Sequence, residues 1–239
     1  RKFSLFNEKD VSLNKYHPPK NKKQKDVSLP EKMDGDLAFL LGALTSEGSL
    51  HQGQILFCNQ DPIFYRRVKE IILKKFKGVS LYENKIAGNC QQLSLYHQRA
   101  VKFLHNIGLS AEKSDRKEIP FSVLLSSDQS LKQFLISLFE GDGSVGDRKD
   151  KRHHGRSIEL TYNSKSKILI RQLKTVLLNF GVITTSPYTD KRSGCFKLIV
   201  SGANNIAKFK KELGFFSKRK KGVLASVDRL NKDRMSKSD

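Results

Sequence analysis

Two short stretches place an acid where a folded chain ordinarily avoids one. Leu40-Leu41-Gly42-Ala43-Leu44-Thr45-Ser46 runs into Glu47-Gly48, and Leu135-Ile136-Ser137-Leu138-Phe139-Glu140-Gly141 runs into Asp142-Gly143. Each reads as a helix that is apolar on nearly every side and must be buried among other elements. The glycine after each acid is expected to supply the left-handed residue that ends the helix. Glu47 and Asp142 then stand at C-terminal helix tips, where the helix dipole disfavours negative charge. Doing this twice suggests that a cation offsets the cost. The expectation is a pair of packed helices whose acids, Glu47 and Asp142, meet and hold divalent metal.

The elements that position these acids are legible in the flanking pattern. Asp34 or Asp36 caps the first helix, expected over about 35–46. Ser49 to Cys58 reads as a hairpin turning near Gln52-Gly53, with Ile55 and Phe57 on one face. Asp61-Pro62 opens a helix with Ile63, Phe64, Val68, Ile71 and Ile72 at helical spacing. Strands follow at Val79–Glu83 and Gln91–Tyr96 around Ala87-Gly88-Asn89, then a short helix from Arg99 to Ile107. A shift of 105 repeats this order: Ile63, Phe64, Val68, Ile71 and Ile72 become Ile168, Leu169, Leu173, Val176 and Leu177. The two acids are only 95 positions apart, so about ten residues are inserted after the second one, within 146–156. Such a duplication predicts two related halves, each helix, hairpin, helix, hairpin, helix. The expected division is a basic arm at 1–33, a first half at 34–109, a linker at 110–126 and a second half at 127–239. The arm is read either as flexible or as lying along phosphate backbone; the linker is read as crossing the sheets.

Charge narrows the partners. The chain of 239 residues carries a net charge of +21, far beyond what solubility needs, so a polyanion is expected. No apolar run reaches the roughly 18–20 residues of a membrane span. Cys58, Cys90 and Cys195 have no metal-like spacing and read as reduced thiols of an intracellular protein. No His or Cys spacing suggests zinc, and no Gly-Lys-Ser/Thr follows Gly141-Asp142-Gly143 to make a phosphate-cradling loop.

The two acid-bearing stretches resemble the paired motifs of the LAGLIDADG homing endonucleases, in the single-chain form that carries both copies. The match is borne by Leu40, Gly42, Leu44, Glu47 and Gly48, and by Leu135, Leu138, Gly141, Asp142 and Gly143. Ala43, Thr45, Ser137, Phe139 and Glu140 depart from the pattern; Ser137 stands where close helix approach favours glycine. The resemblance implies an α+β fold of two pseudo-symmetric halves, with antiparallel sheets forming a saddle over DNA. It implies a monomeric, site-specific, double-strand endonuclease using two or more Mg²⁺ ions, acting on a long asymmetric target. The alternative within the same fold is an RNA maturase or a DNA-binding protein without catalysis.

Phosphodiester hydrolysis needs an activated water, a Lewis acid on the phosphate and a stabilised leaving oxygen, which few carboxylates with Mg²⁺ supply. Glu47 and Asp142 fit as direct ligands, with carbonyl groups near Ser46 and Gly141 adding to them. Glu140, two residues before Asp142, is read as structural or on the surface rather than as a ligand. The resemblance also implies one lysine from each half near the scissile phosphates: Lys117, and Lys220 with Lys221 next to it. Asn59, Gln60 and Asn163 stand at strand ends where they would order water. Strand positions expected to point outward are Tyr82, Asn84, Gln92, Ser94 and Tyr96 in the first half, and Glu159, Thr161, Thr184, Thr189 and Lys197 in the second. They suit base edges or water, and Tyr82, Gln92, Tyr96, Thr161 and Lys197 are the ones expected to meet DNA. Basic contacts to phosphate are expected from Lys113 and Arg116 in the linker and from Lys191, Arg192 and Lys221. The inserted segment adds Arg148, Lys149, Lys151, Arg152 and Arg156, read as a flexible phosphate-binding loop.

Overall fold

The computed structural model describes residues 11–20, 25–51, 53–86, 88, 90–109, 114–150 and 155–225, with backbone alone at 147–150 and 155–157. Helix α1 (Gly35–Glu47) starts where the extended Asp34 accepts a hydrogen bond from the Leu37 N–H at 3.0 Å. That carboxylate satisfies a donor the helix itself leaves open. Asp36, the other candidate cap, instead pairs with Arg67 at 2.7 Å and Lys74 at 2.6 Å. The chain leaves α1 directly into β1 (Gly48–His51) and β2 (Gln54–Asn59). Asp61 then caps α2 (Pro62–Lys75), accepting from the N–H groups of Ile63 and Phe64, with proline in the first turn. Strands β3 (Leu81–Ile86) and β4 (Cys90–Tyr96) and helix α3 (Gln98–Asn106) complete the first half.

After the short α4 (Phe121–Leu124) the order recurs. It runs α5 (Asp128–Gly141), β5 (Gly143–Asp150), β6 (Gly155–Ser164), α6 (Lys167–Asn179), β7 (Tyr188–Thr189), β8 (Phe196–Val200) and α7 (Ala203–Glu212). Each half builds one four-stranded antiparallel sheet, in the orders β1-β2-β4-β3 and β5-β6-β8-β7. The fold is α+β, and its twin topology is what a shift of 105 in the sequence predicts. Register sorts the faces. Ile55, Leu95 and Leu81 are cross-strand partners on the helix side, and Leu56, Ser94 and Tyr82 are partners on the open side. Aromatic rings seal each core: Phe57 and Phe39 flank Phe64 in the first half, and Tyr162 and Phe209 flank Phe139 in the second.

Helices α1 and α5 meet backbone to backbone. A Cβ on Gly42 would lie 2.3 Å from the Phe134 carbonyl oxygen and 2.1 Å from Ser137 Oγ. One on Gly141 would lie 2.2 Å from Ser46 Oγ. Ser137 is tolerated at this seam because Gly42 faces it and its hydroxyl turns back to the Phe134 carbonyl at 3.0 Å.

Four expectations need correction. Gly48 has φ −98° and Gly143 lacks a positive φ, so neither ends its helix by a left-handed turn. They are glycines because the chain doubles back tightly: a Cβ would come within 2.6 Å of the Leu44 oxygen and 2.4 Å of the Phe139 oxygen. The segment 148–156 is no loop where it is described, since β5 and β6 stay paired out to Asp150 and Gly155. The inserted residues lengthen a hairpin. Residues 11–20 and 25–33 are a strap packed on the first half rather than a free arm; residues 1–10 and 21–24 of the expected arm lie outside the described residues. Leu13, Val27, Leu29 and Met33 are buried, and Arg99 donates to the Pro18 and Val27 carbonyls and to Asp26. Thr189 pairs with Phe196, on the helix side of its sheet, and Thr184 lies outside the strands.

Candidate active site at the paired helix ends

The tight seam fixes where the two acids go. Glu47 is the last residue of α1 and Asp142 the C-cap of α5. A Cβ on Gly141 would sit 3.0 Å from Glu47 Cγ, so Glu47 packs directly against the residue preceding Asp142. The two carboxylates are close enough for the Asp142 charge to raise the pKa of Glu47. Burial raises it first, and Lys117 and Lys220 pull it back. Asp142 behaves likewise: burial holds it above the usual carboxylate range, against Lys117, a hydrogen bond from Tyr162 and Lys220. Its side chain keeps a path to solvent although protein crowds it. A pair of neighbouring acids, crowded by protein at two dipole-negative helix ends, is an environment that positive charge stabilises.

Two lysines supply part of that charge. Lys117 Nζ donates to the Ser46 carbonyl at 3.0 Å, at the end of α1. Lys220 Nζ donates to the Phe139 carbonyl at 3.1 Å and to that of Glu140, at the end of α5. Each lysine thus ties down carbonyl groups that a helix leaves unpaired at its C-terminus. Lys220 is buried at 5% exposure, and burial lowers its pKa. Lys221, its neighbour, is exposed.

Beside the acids opens a cleft of about 570 Å³, lined among others by Glu47, Asn59, Gln60, Glu140, Gly141 and Lys220. Asn59 also accepts the Asp61 N–H at 2.8 Å, a helix-entry role. Asn163 pairs with Lys197 across β6 and β8. The acids and backbone carbonyls here are hard oxygen donors suited to Mg²⁺ or a similar ion, which completes its shell from phosphate and water. Among the described residues no group of three or more His, Cys, Asp and Glu could hold a metal. Glu47 and Asp142, with the carbonyl groups near Ser46 and Gly141, are the groups here that could hold such an ion.

Register puts Tyr82, Asn84, Gln92, Ser94 and Tyr96 on one side of the first sheet, where Ser94 is nonetheless buried, and Glu159, Thr161, Asn163 and Lys197 on the matching side of the second. Tyr82 and Tyr96 are exposed and stack edge to face at 5.7 Å. Thr161 is buried and shares a 2.7 Å hydrogen bond with Ser144. Lys191 and Arg192 sit in the exposed turn between β7 and β8, and Arg116 is exposed in the connecting segment. Arg148, Lys149 and Arg156 lie on the extended hairpin with side chains outside the described residues, as are Lys113, Lys151 and Arg152 altogether.

Two residues of the site escape a motif-based reading. Tyr162, fully buried, donates its hydroxyl to Asp142 at 3.2 Å. Its signal is the repeat: a shift of 105 brings Phe57 onto Tyr162, an apolar position that has acquired a hydroxyl. Glu140, read as structural or on the surface, is buried and binds backbone: its Oε2 accepts the N–H groups of Phe216 at 2.6 Å and Ser217 at 3.0 Å.

Residues 130–214 match the family model for a LAGLIDADG-like domain. A DNA gyrase chain of Mycobacterium kansasii is 30% identical over 183 residues, 74% of this chain and 32% of that protein. The replication factor C small subunit of Methanocaldococcus jannaschii is 25% identical over 197 residues, 80% of this chain and 10% of that protein. An A-type ATP synthase chain of Pyrococcus abyssi is 25% identical over 190 residues, covering 78% of this chain and 18% of that protein. The chain therefore spans a tenth to a third of these relatives. Among solved structures, I-DmoI in complex with DNA and Mn superposes with TM-score 0.53 at 16% identity, over 75% of this chain and 96% of that one. Full-length DUF199/WhiA from Thermatoga maritima superposes with TM-score 0.53 at 17% identity, over 84% of this chain and 60% of that one. The chain carries a LAGLIDADG-like domain over 130–214 and shares its α+β fold with I-DmoI and WhiA.

Proposed function

We propose that this chain is a site-specific, double-strand DNA endonuclease that hydrolyses phosphodiesters with divalent metal, as a monomer whose two halves each serve one half of an asymmetric target. The observation that carries the reading is the meeting of Glu47 and Asp142 at the backbone-tight seam, with Lys117 and Lys220 beside them. Glu47, Asp142 and the carbonyl groups near Ser46 and Gly141 would hold Mg²⁺. Bound there, the ion supplies Lewis acidity at the phosphate and acidifies a water. Lys117 and Lys220 hold positive charge at the helix ends, where the extra negative charge of a pentavalent phosphorane would develop. The Tyr162 hydroxyl, donating to Asp142, favours its ionised form against the burial that raises its pKa. The open sheet faces, with Tyr82, Gln92, Tyr96 and Lys197, offer hydrogen-bonding and aromatic groups to base edges, whereas buried Thr161 does not. The net charge of +21 attracts the phosphate backbone. Matches confined to a stretch of a gyrase, a replication factor and an ATP synthase are what a segment carried inside unrelated host proteins would leave. They favour a protein-embedded homing element over an intron-encoded one.

The test is selection of cleaved sites from a randomised duplex library with Mg²⁺. The parent should yield one long asymmetric site, and Glu47→Gln and Asp142→Asn should bind that site within about threefold while cutting it at least 10³-fold more slowly. A fully active Asp142→Asn enzyme, or a parent that binds DNA but never cuts it, would overturn the reading and leave a binding protein of the same fold.

A further inference from the structure

The two lysines at the helix ends are seated by different devices. Lys117 is held through the second half: Ser166 Oγ donates to the Lys117 carbonyl at 2.5 Å, and Gln172 Oε1 accepts the Ile119 N–H at 2.8 Å. Lys220 follows the bend at 216–217, and that bend is gripped by Glu140, whose Oε2 receives both of its N–H groups. Glu140 is 6% exposed, and its second oxygen lies 3.9 Å from Lys220 Nζ. Hydrogen bonds to a buried carboxylate are among the stronger ones a protein makes. Among the described residues the first half shows no such grip. Thr45 occupies the matching motif position, and its hydroxyl is used within α1 on the Leu41 carbonyl at 2.7 Å.

We infer that Glu140 is the positioning residue for Lys220, locking the bend at 216–217 so that the Lys220 ammonium reaches the end of α5, and that it therefore governs cleavage of one DNA strand and not the other. The inference rests on the nuclease reading above, with each lysine serving the phosphate nearer its own helix end. Glu140 acts through Lys220 and touches no reacting atom.

The experiment uses the whole chain and the library-selected duplex, with each strand carrying its own end label. Glu140→Ala should slow one strand about 10–100-fold, as supporting residues around an active centre typically do, and nicked duplex should accumulate. Lys220→Ala should slow that same strand, and Lys117→Ala the opposite one. Glu140→Ala combined with Lys220→Ala should be no slower than Lys220→Ala alone. Glu140→Gln keeps an oxygen that accepts both N–H groups and should cut both strands within about threefold of the parent. If Glu140→Ala does not fold, Glu140→Asp, which keeps the charge but withdraws it by one methylene, should show the same one-strand defect. Equal slowing of both strands, or an effect that adds to that of Lys220→Ala, overturns the inference. A second measurement stands apart from cleavage. In metal-free protein, Glu140→Ala should speed amide exchange at Phe216 and Ser217 at least tenfold and leave Ile119 unchanged. Unchanged exchange at Phe216 and Ser217 overturns the inference even where the parent fails to cut.

Discussion

Replacing Gly42 by alanine tests the central seam most directly, because it adds one methyl group at the tightest point between α1 and α5. That methyl would sit 2.3 Å from the Phe134 carbonyl oxygen and 2.1 Å from Ser137 Oγ. The hydroxyl could rotate away; the carbonyl is backbone within α5 and could not. Carbon and oxygen reach ordinary contact near 3.4 Å, so α1 must retreat by about 1 Å. Overpacking of this kind costs about 1–3 kcal/mol, and a rigid backbone neighbour puts the cost near the top of that range. Alanine's better helix propensity returns about 1 kcal/mol. The net expectation is about 2 kcal/mol of lost stability, hence a fall in Tm of about 4–8 °C for a domain of this size. Retreat of α1 also carries Glu47 away from Asp142, so cleavage should fall by more than the loss of stability explains. Urea unfolding followed by circular dichroism measures the first effect, and single-turnover cleavage at a temperature where both proteins are folded measures the second. Adding Ser137→Gly should restore little, since the Phe134 carbonyl remains. A Gly42→Ala protein as stable as the parent, or one fully repaired by Ser137→Gly, would refute the seam as described.

Other consequences are open to measurement. Because burial raises the Asp142 pKa, the folded protein binds that proton more tightly than the unfolded chain, and metal-free stability falls as pH rises through the raised value. Asp142→Asn should flatten that slope, making the variant more stable than the parent at pH 8 and equal to it near pH 3. The gain should be well below the roughly 1.4 kcal/mol of a full pKa unit, since the carboxylate reaches solvent; parallel stability–pH curves would disprove it. Tyr162→Phe removes a hydrogen bond that lowers the Asp142 pKa, so the acid limb of the cleavage–pH profile should move to higher pH while the rate at alkaline pH holds. An unmoved limb would show that the hydroxyl is idle. Leu13→Ala, at a fully buried position of the strap, should cost about 2–5 kcal/mol, an effect that a free arm would not show.

Features set by residues near in sequence were legible without a structure. A cap at Asp34 or Asp36 and a helix start at Asp61-Pro62 were readable, with only the structure choosing Asp34; Ile55 and Phe57 share a buried face, and the 105-residue echo foretold twin sheets of identical strand order. Caps, alternation and helical spacing are local physics, and duplication repeats whatever it copies. The motif acids were legible too, because an acid closing an apolar helix is a conflict visible in one dimension. Tertiary structure decided the rest. The glycines after those acids looked like left-handed terminators, yet what they satisfy is crowding by Leu44 and Phe139. Lys220 was singled out through the family resemblance, beside Lys221; only the fold shows it buried on the carbonyls of Phe139 and Glu140. Tyr162 reaching Asp142, Glu140 gripping the bend at 216–217 and the strap over the first half all depend on which distant backbones touch. Composition and periodicity carry no record of such contacts, because each is set by how closely two helices can approach.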